Sequence, residues 1–470
     1  MLEFKPLNGE VNLIEEFLDK TQMNFCDISR GVKYMWRDTV KVDYAIFNDT
    51  LILKETGGNH KETFYFPIGD FVEGALCKIE EYCLKNGLPL SFGYLDEEKV
   101  TFLSKRYFKT ENRFERDWCD YIYTAEQFIT YSGKKLSGQR NHVNKFKKNY
   151  PDYKFKKITP ENQMLAVKFI EQNNKKRSVG GKIENLEREH ALELVQNMFK
   201  LSQLGGYLEV NGKIVAVSVG EKVNDTLIVH VEKADTEYVG AYPTMAQEFA
   251  KAYATEVKFI NREEDCGDLG LRTSKTQYQP IEIKRKNFLT AYTMFDFLDK
   301  DLEIKTERLS ISRITEKDKD AYAKLYLDDE LNKYWGYDYK NDLNGEKPTP
   351  EYFFRFQNAL FEKKEECSFA VRLNGQLIGE LVLHNFDFYG GVEMGFRFFK
   401  KDQSKGYAIE SASALKEYLL STLKANFLKS RCYKQNTPSE KLIGRLGLKK
   451  VSEDDVCYYF STKEQLQETV

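Results

Sequence analysis

The chain has 470 residues and is 41% hydrophobic, which is too long for one ordinary core and predicts two to four well-packed domains. Its 71 basic and 73 acidic residues leave a formal net charge of −2, which excludes a broad nucleic-acid-binding surface while allowing local basic patches. Eight cysteines without a C-x-x-C spacing and only five histidines predict reduced thiols and no metal site. With no basic-then-apolar leader and no apolar run near the length of a span, the expectation is a cytoplasmic protein lacking an integral membrane segment.

In chain order, Asn12 to Leu18 has helical spacing, with Ile14, Phe17 and Leu18 on one side. Tyr44 to Phe47 and Thr50 to Leu53 predict a hairpin across Asn48-Asp49. Phe71 to Cys83 predicts an amphipathic helix and Leu90 to Tyr94 a strand. Asp117 to Tyr123 predicts another strand, with Trp118 in the core. Lys134 to Lys148 then gathers basic side chains on a helix start and its first turns. The run reads either as a solvated face or as a phosphate or carboxylate site, with Arg140 and Asn144 one helical turn apart.

Helices are predicted near Glu161–Asn173 and Glu189–Leu204, followed by a hairpin across Asn211-Gly212, a strand from Thr226 to Val231, a helix from Tyr242 to Ala254 and a strand from Val257 to Asn261. The loop beyond that strand carries Arg262, Glu263, Asp265, Arg272 and Lys275. Its carboxylates suit an ammonium or an amine nucleophile and its cations a phosphate or the end of a tRNA; the plain alternative is a salt-bridged closing loop. Phe288, Met294, Phe295 and Phe297 predict a helix before a short charged link at Asp299 to Lys305.

The last third repeats the hairpin–strand–helix–strand order. Asn374-Gly375 joins two apolar runs, Val392 to Phe398 alternates, and Lys401 to Leu420 passes from a polar loop through Gly406 into an amphipathic helix. The N–H groups of that helix's first turn make a site for phosphate or pyrophosphate. Phe427 to Tyr433 predicts a strand, and Thr437 with Pro438 and Glu440 a capped helix ending at Gly447.

This arrangement resembles the GNAT acyltransferases, in the branch that acetylates ribosomal-protein N-termini and related amines. The family's pyrophosphate loop is matched by Gln403, Ser404, Lys405, Gly406, Tyr407 and Ala408, with serine at 404 where the family usually has glycine. Thr306-Glu307-Arg308-Leu309 and Asp318 match the branch's opening strand and first helix. The resemblance implies acetyl-CoA as cofactor and an amine-bearing small molecule or peptide as acceptor. It implies Phe398, Asn436 and Ser439 on the cofactor side and Glu393 as base or water-positioner, with an ordinary polar strand residue as the alternative; His384 is chemically suited to act as base near pH 7 or is a surface residue at a strand end, and Tyr433 is a candidate acid toward the thiolate. Trp335 and Tyr337 are expected to line or cover the acceptor cleft, with a core role as the equal alternative for Trp335.

Residues 1 to about 295 resemble the DUF2156 group, similar to the C-terminal domain of phosphatidylglycerol lysyltransferases. Trp118 to Tyr123, the block Arg140-Asn141-Asn144-Phe146 and the run Asn261 to Gly267 carry the likeness. It implies a tandem pair of GNAT-like units and, as an alternative activity, aminoacyl transfer from tRNA. The expected architecture is a mixed α/β chain of three GNAT-like units, at residues 1–155, 156–300 and 301–470. A non-catalytic acyl-CoA-binding module is the remaining alternative.

Overall fold

In the computed structural model, which describes residues 2–18, 20–21, 23–57, 60–176 and 182–463, the strands gather into three sheets. The chain divides into two units. Met1–Ile79, Ser91–Thr101 and Asn112–Leu289 make the first; Glu80–Leu90, Phe102–Glu111 and Thr290–Val470 make the second. It is a mixed α/β chain.

In one of the sheets five neighbouring strands run Lys5–Pro6, Val40–Phe47, Thr50–Gly57, His60–Tyr65 and Leu90–Leu95 in spatial order. Asn48 and Asp49 both take positive φ, 44° and 54°, which gives the turn whose twist matches its flanking strands. A second sheet runs Glu282–Lys284, Asp120–Thr124, Phe259–Asn261, Thr226–Ala234, Lys213–Val223, Leu204–Val210 and Lys154–Lys157. Thr226 to Ile228 pair in parallel with Phe259 to Asn261, and there the ladder stops. Val229 to Ala234 run on beyond it. The helix Ala241–Tyr253 buries Met245, Phe249 and Ala250 in the core that this sheet shares with Phe128, Phe146 and Ile260.

The second unit's sheet runs Glu303–Lys305, Leu309–Arg313, Glu366–Leu373, Gln376–His384, Gly391–Phe398, Phe427–Tyr433, Cys457–Ser461 and Lys449–Glu453. It shows the same event: Gly391 to Glu393 pair in parallel with Phe427 to Lys429, and the ladder ends. Val392, Met394 and Phe398 face a core with Ala412 and Leu415 of the helix Tyr407–Glu417. Glu393, Gly395 and Arg397 fall on the opposite face by strand alternation.

Several elements differ from the sequence expectation, each for a local reason. Val11–Ile14 is a tight turn of 3₁₀ helix, and only Glu15–Leu18 continues as α-helix. Trp118 lies in a short turn ahead of its strand and is 38% exposed, so it is not a core residue. The expected helix at Glu189–Leu204 sits earlier, at Lys182–Gln196, because Leu204 opens the strand that pairs with Gly220. Phe288 belongs to the strand Asn287–Tyr292, whose alternating burial is that of a strand, and only Met294–Phe297 turns helically. The cap of the helix Thr437–Arg445 is Asn436, whose side chain accepts from the Ser439 N–H; Thr437 is its first helical residue.

Candidate functional site

Where two parallel strands part, their ladder hydrogen bonds stop and a slot opens between them; in the second unit the Ser430 hydroxyl still donates to the Met394 carbonyl at 2.9 Å where the ladder ends. In the second unit the slot leads to the loop Gln403 to Gly406. Gln403 Nε2 donates to the Phe398 carbonyl at 2.9 Å and fixes the loop's entry. Gly406 caps the following helix at φ 84° and ψ −1°, a left-handed conformation that favours glycine. Tyr407, Ala408 and Ile409 supply first-turn N–H groups that have no partner within the helix. Ser404 also has positive φ, 61°, which is a physical reason for glycine there in related chains. Lys405 is half exposed, with its ammonium 3.4 Å from Asp402. The loop's geometry fits a pyrophosphate: a left-handed glycine, a helix start, and only the far end of Arg308 near the position a Cβ would take at Gly406.

Above the slot, Glu393 is 9% exposed. It accepts from Asn385 Nδ2 at 2.9 Å, lies 3.2 Å from Arg431 Nε, and has His384 Nε2 at 3.8 Å. Burial pushes the His384 pKa below the ordinary histidine value; Glu393 pulls the other way and Arg431 adds to the drop. His384 is therefore neutral near pH 7 and able to take a proton. Tyr433 ends the parted strand, with its ring 5.7 Å from Tyr334. Trp335 lies across Gly395, where a Cβ would meet its ring at 3.4 Å. Its indole is held by Arg397, whose guanidinium is 4.5 Å from the Trp335 ring and 4.1 Å from the Tyr326 ring and ion-pairs with buried Glu380. Tyr337 instead stacks on Phe356 and donates to Asp342 at 2.7 Å. Phe398 is core, Asn436 a helix cap, and Ser439 the N–H that the cap receives. Thus Glu393, His384, Tyr433, Trp335 and the 403–408 loop lie around one pair of parting strands.

In the first unit Gly240 has nearly the same backbone as Gly406, φ 91° and ψ 1°, ahead of the helix Ala241–Tyr253. Its surroundings are different. A Cβ at Gly240 would lie 2.4 Å from the His142 carbonyl oxygen and 3.0 Å from Phe146, both on the helix Ser137–Asn149. Pro243 removes one first-turn donor as well. That helix buries Val143 and Phe146 and leaves Asn144 exposed, while Arg140 Nη1 donates to the Tyr131 and Gly133 carbonyls.

The loop after Asn261 sends its side chains to separate places. Arg262 donates to Glu232 at 2.8 Å, lies over the Tyr278 ring, and lines a small, largely apolar pocket of about 10 Å³ with Phe128, Leu227 and Phe249. Glu263 accepts from His230 Nδ1 at 2.7 Å. Asp265 has no exposed side-chain surface. Arg272, Arg116, the Tyr121 hydroxyl and the Gly267 N–H engage it, and Arg272 also holds Asp117. Burial opposes the Asp265 charge, but Arg272 and Tyr121 hold its pKa well below the usual carboxylate range. Lys275 donates to the Arg262 and Glu264 carbonyls. Among the described residues no hydrogen bond or ion pair joins Arg140 or Asn144 to this loop.

A run of buried charges lies outside the residues that the sequence singles out. His230 sits between Glu263 and Glu221, the latter at 2.9 Å from Nε2; Glu221 also accepts from the Gly31 N–H at 2.7 Å. Burial works against a charged His230, yet its hydrogen bonds to the Glu221 and Glu263 carboxylates lift its pKa to about 9. Nearby, the Lys286 ammonium lies 2.6 Å from Asp27, 2.9 Å from Asp120 and 3.3 Å from Glu264, with Cys26 Sγ at 3.1 Å. Cys26, Asp27 and Asp120 have spacing compatible with a metal ion, but Lys286 already supplies a cation to them. The available signal was a charge inside an apolar strand, as with Glu221 after Val215–Val219 and His230 within Leu227–Val231.

Residues 308–449 match the model of the acetyltransferase (GNAT) domain, so the C-terminal region carries an acetyltransferase domain of that type. Residues 22–288, more than half of the chain, match the family "phosphatidylglycerol lysyltransferase, C-terminal", and the chain belongs to that family. A conserved protein of unknown function from Bacteroides thetaiotaomicron VPI-5482 is 31% identical, with a TM-score of 0.57; the match covers 62% of this chain and 99% of that one. The uncharacterized N-acetyltransferase YnaD of Bacillus subtilis is 29% identical over 121 residues, 24% of this chain and 71% of its own length. The uncharacterized N-acetyltransferase p20 of Bacillus licheniformis is 25% identical over 146 residues, 31% of this chain and 81% of its own. Among the described residues no helix is long and apolar enough to cross a membrane.

Proposed function

We propose that the C-terminal domain transfers an acetyl group from acetyl-CoA to an amine acceptor, a peptide N-terminus or a small amine. The observation that carries this reading is the left-handed Gly406 at a helix start, placed at the end of two parting parallel strands. The cofactor supplies the acyl thioester. Gln403 to Ala408 bind its pyrophosphate through backbone N–H groups and the helix end, and the free edges of Gly395–Phe398 and Ser430–Tyr433 hold its arm. Glu393, fixed by Asn385 and Arg431, draws the acceptor ammonium toward the slot. Neutral His384 takes its proton, since acyl transfer needs a free amine. Tyr433 protonates the departing thiolate, and Trp335 covers the acceptor and excludes water.

We further propose that the chain consists of three GNAT-like units, with one boundary near 300 and the other, which the sequence suggests near 155, ahead of Asp120, because Asp120–Thr124 lies in the middle unit's sheet and the helix Ser137–Asn149 packs at Gly240. The matched parallel pairs and left-handed glycines at 240 and 406 support this reading. A second reading, aminoacyl transfer from tRNA in the N-terminal region, is favoured by exposed Lys134, Lys135, Lys145 and Lys148 along one helix and its approach, together with the family's name.

Calorimetric titration of acetyl-CoA into the full chain tests the first reading. Saturable binding lost in Gly406→Val, with an unchanged circular dichroism spectrum, is the expected result. No binding by the wild-type chain refutes it. Retarded migration of tRNA, reversed by Lys145→Glu/Lys148→Glu, is the result expected if the second reading holds.

A further inference from the structure

The pyrophosphate loop is latched from outside itself. Arg308, just ahead of the strand Leu309–Arg313, reaches Glu410 in the first turns of the helix Tyr407–Glu417: Nε donates to Glu410 Oε2 at 2.7 Å and Nη2 lies 2.5 Å from the same oxygen. The Arg308 backbone N–H donates to Glu410 Oε1 at 3.1 Å, and Thr306 Oγ1 donates to it at 2.5 Å. The guanidinium also lies 4.7 Å from the Tyr407 ring centroid. Its Nη1 donates to the Lys405 carbonyl at 3.1 Å.

That last contact has a directional effect. The Lys405 carbonyl and the Gly406 N–H belong to one planar trans peptide, so they point in opposite directions. A carbonyl tied to Arg308 therefore turns the Gly406 N–H away from Arg308. The guanidinium is matched to Glu410, whose pKa is held below the usual value; burial opposes this, and hydrogen bonds from Thr306 and Arg308 outweigh it. Paired in this way, Arg308 is spent on the loop rather than left as a free cation for phosphate.

We propose that Arg308, braced by Glu410, is a positioning residue that pre-sets the loop's N–H groups for the pyrophosphate of the acyl-CoA. This rests on the reading of Gln403 to Ala408 as the pyrophosphate loop. A loop set in advance does not lose conformational freedom on binding, so releasing it weakens affinity for the phosphate-bearing part of the cofactor alone.

The test titrates CoA into the full-length wild-type chain and Arg308→Gln by calorimetry, and follows pantetheine, which lacks the phosphates, by ligand-observed NMR. CoA affinity is expected to fall about tenfold in Arg308→Gln, the equivalent of roughly 1.4 kcal/mol, with pantetheine affinity unchanged and Arg308→Lys intermediate. If Arg308→Gln does not keep the wild-type melting midpoint, Glu410→Gln serves instead, since it removes the brace from the same guanidinium. Equal CoA affinity in wild type and variant overturns the proposal, as does equal loss for CoA and pantetheine. Failure of the wild-type chain to bind CoA is the separate result that removes the loop reading itself.

Discussion

Removing the charge on His230 should loosen the centre of the first unit. The imidazolium has no exposed surface and bridges Glu221 and Glu263, with Arg30 3.4 Å from Glu221 and Gln203 donating to it. A histidine pKa raised from its ordinary 6.5 to about 9 corresponds to roughly 3 kcal/mol of preferential stability for the charged form. Its sign follows from the raised value: the contribution is complete below pH 6.5 and is lost as pH rises through 9. Two neighbours titrate in adjoining windows. Burial raises Asp27 to about 7, so its contribution falls as pH rises from the ordinary aspartate range through 7. Burial lowers Lys33 to about 8, so its buried charge is relieved above that pH and its contribution has the opposite sign to that of His230. The difference between wild type and His230→Gln removes both. Amide exchange in Lys213–Val223 and Thr226–Ala234, corrected for intrinsic rates, reads the local opening energy without requiring two-state unfolding of a two-unit chain. Wild type should exceed His230→Gln by a margin that shrinks by about 2–3 kcal/mol between pH 6.5 and 9.5. A margin that stays constant across that range refutes the bridging imidazolium.

Ser404→Gly should raise the second unit's melting midpoint, because relief of a left-handed serine outweighs glycine's added backbone entropy by roughly 0.5 kcal/mol; a lower midpoint in calorimetry counts against that account. Asn436→Ala should cost about 1 kcal/mol through loss of the cap on Thr437–Arg445, with Thr437→Ala near neutral. The reverse ranking in urea unfolding would return the cap to Thr437. CoA should bind with a stoichiometry of one per chain, because the helix Ser137–Asn149 fills the space at Gly240. Two equivalent sites by calorimetry would show that this helix yields.

Much of the fold was legible where local chemistry decides it. Asn48-Asp49, Asn211-Gly212 and Asn374-Gly375 announced their hairpins because each takes a backbone that few residues tolerate. Gly406 could be placed at a helix start for the same reason. The Arg262–Lys275 loop was recognisable as charged, but which charges meet was not, since Asp265 turns to Arg272 while its near neighbour Glu263 turns to His230. Such pairings depend on strands far apart in the chain: Glu221 and His230 are brought together by the register of a hairpin, and Lys286 reaches Asp27 and Asp120 across more than a hundred residues. Phe288 misled because an apolar residue in a short run fits helix and strand alike until its neighbours' burial is known.

The contact of Gly240 with His142 bears on how the chain can be cut. A polypeptide begun at residue 156 would lose the strand Asp120–Thr124 from between Phe259–Asn261 and Glu282–Lys284, leaving two short strands without their shared neighbour. It would also strip the helix Ser137–Asn149 from the start of Ala241–Tyr253 and bare the apolar surface that Val143 and Phe146 cover. A boundary placed anywhere between Arg116 and Lys157 breaks this wiring. A shorter fragment would invite aggregation, and its failure to bind a ligand would say nothing about the intact protein.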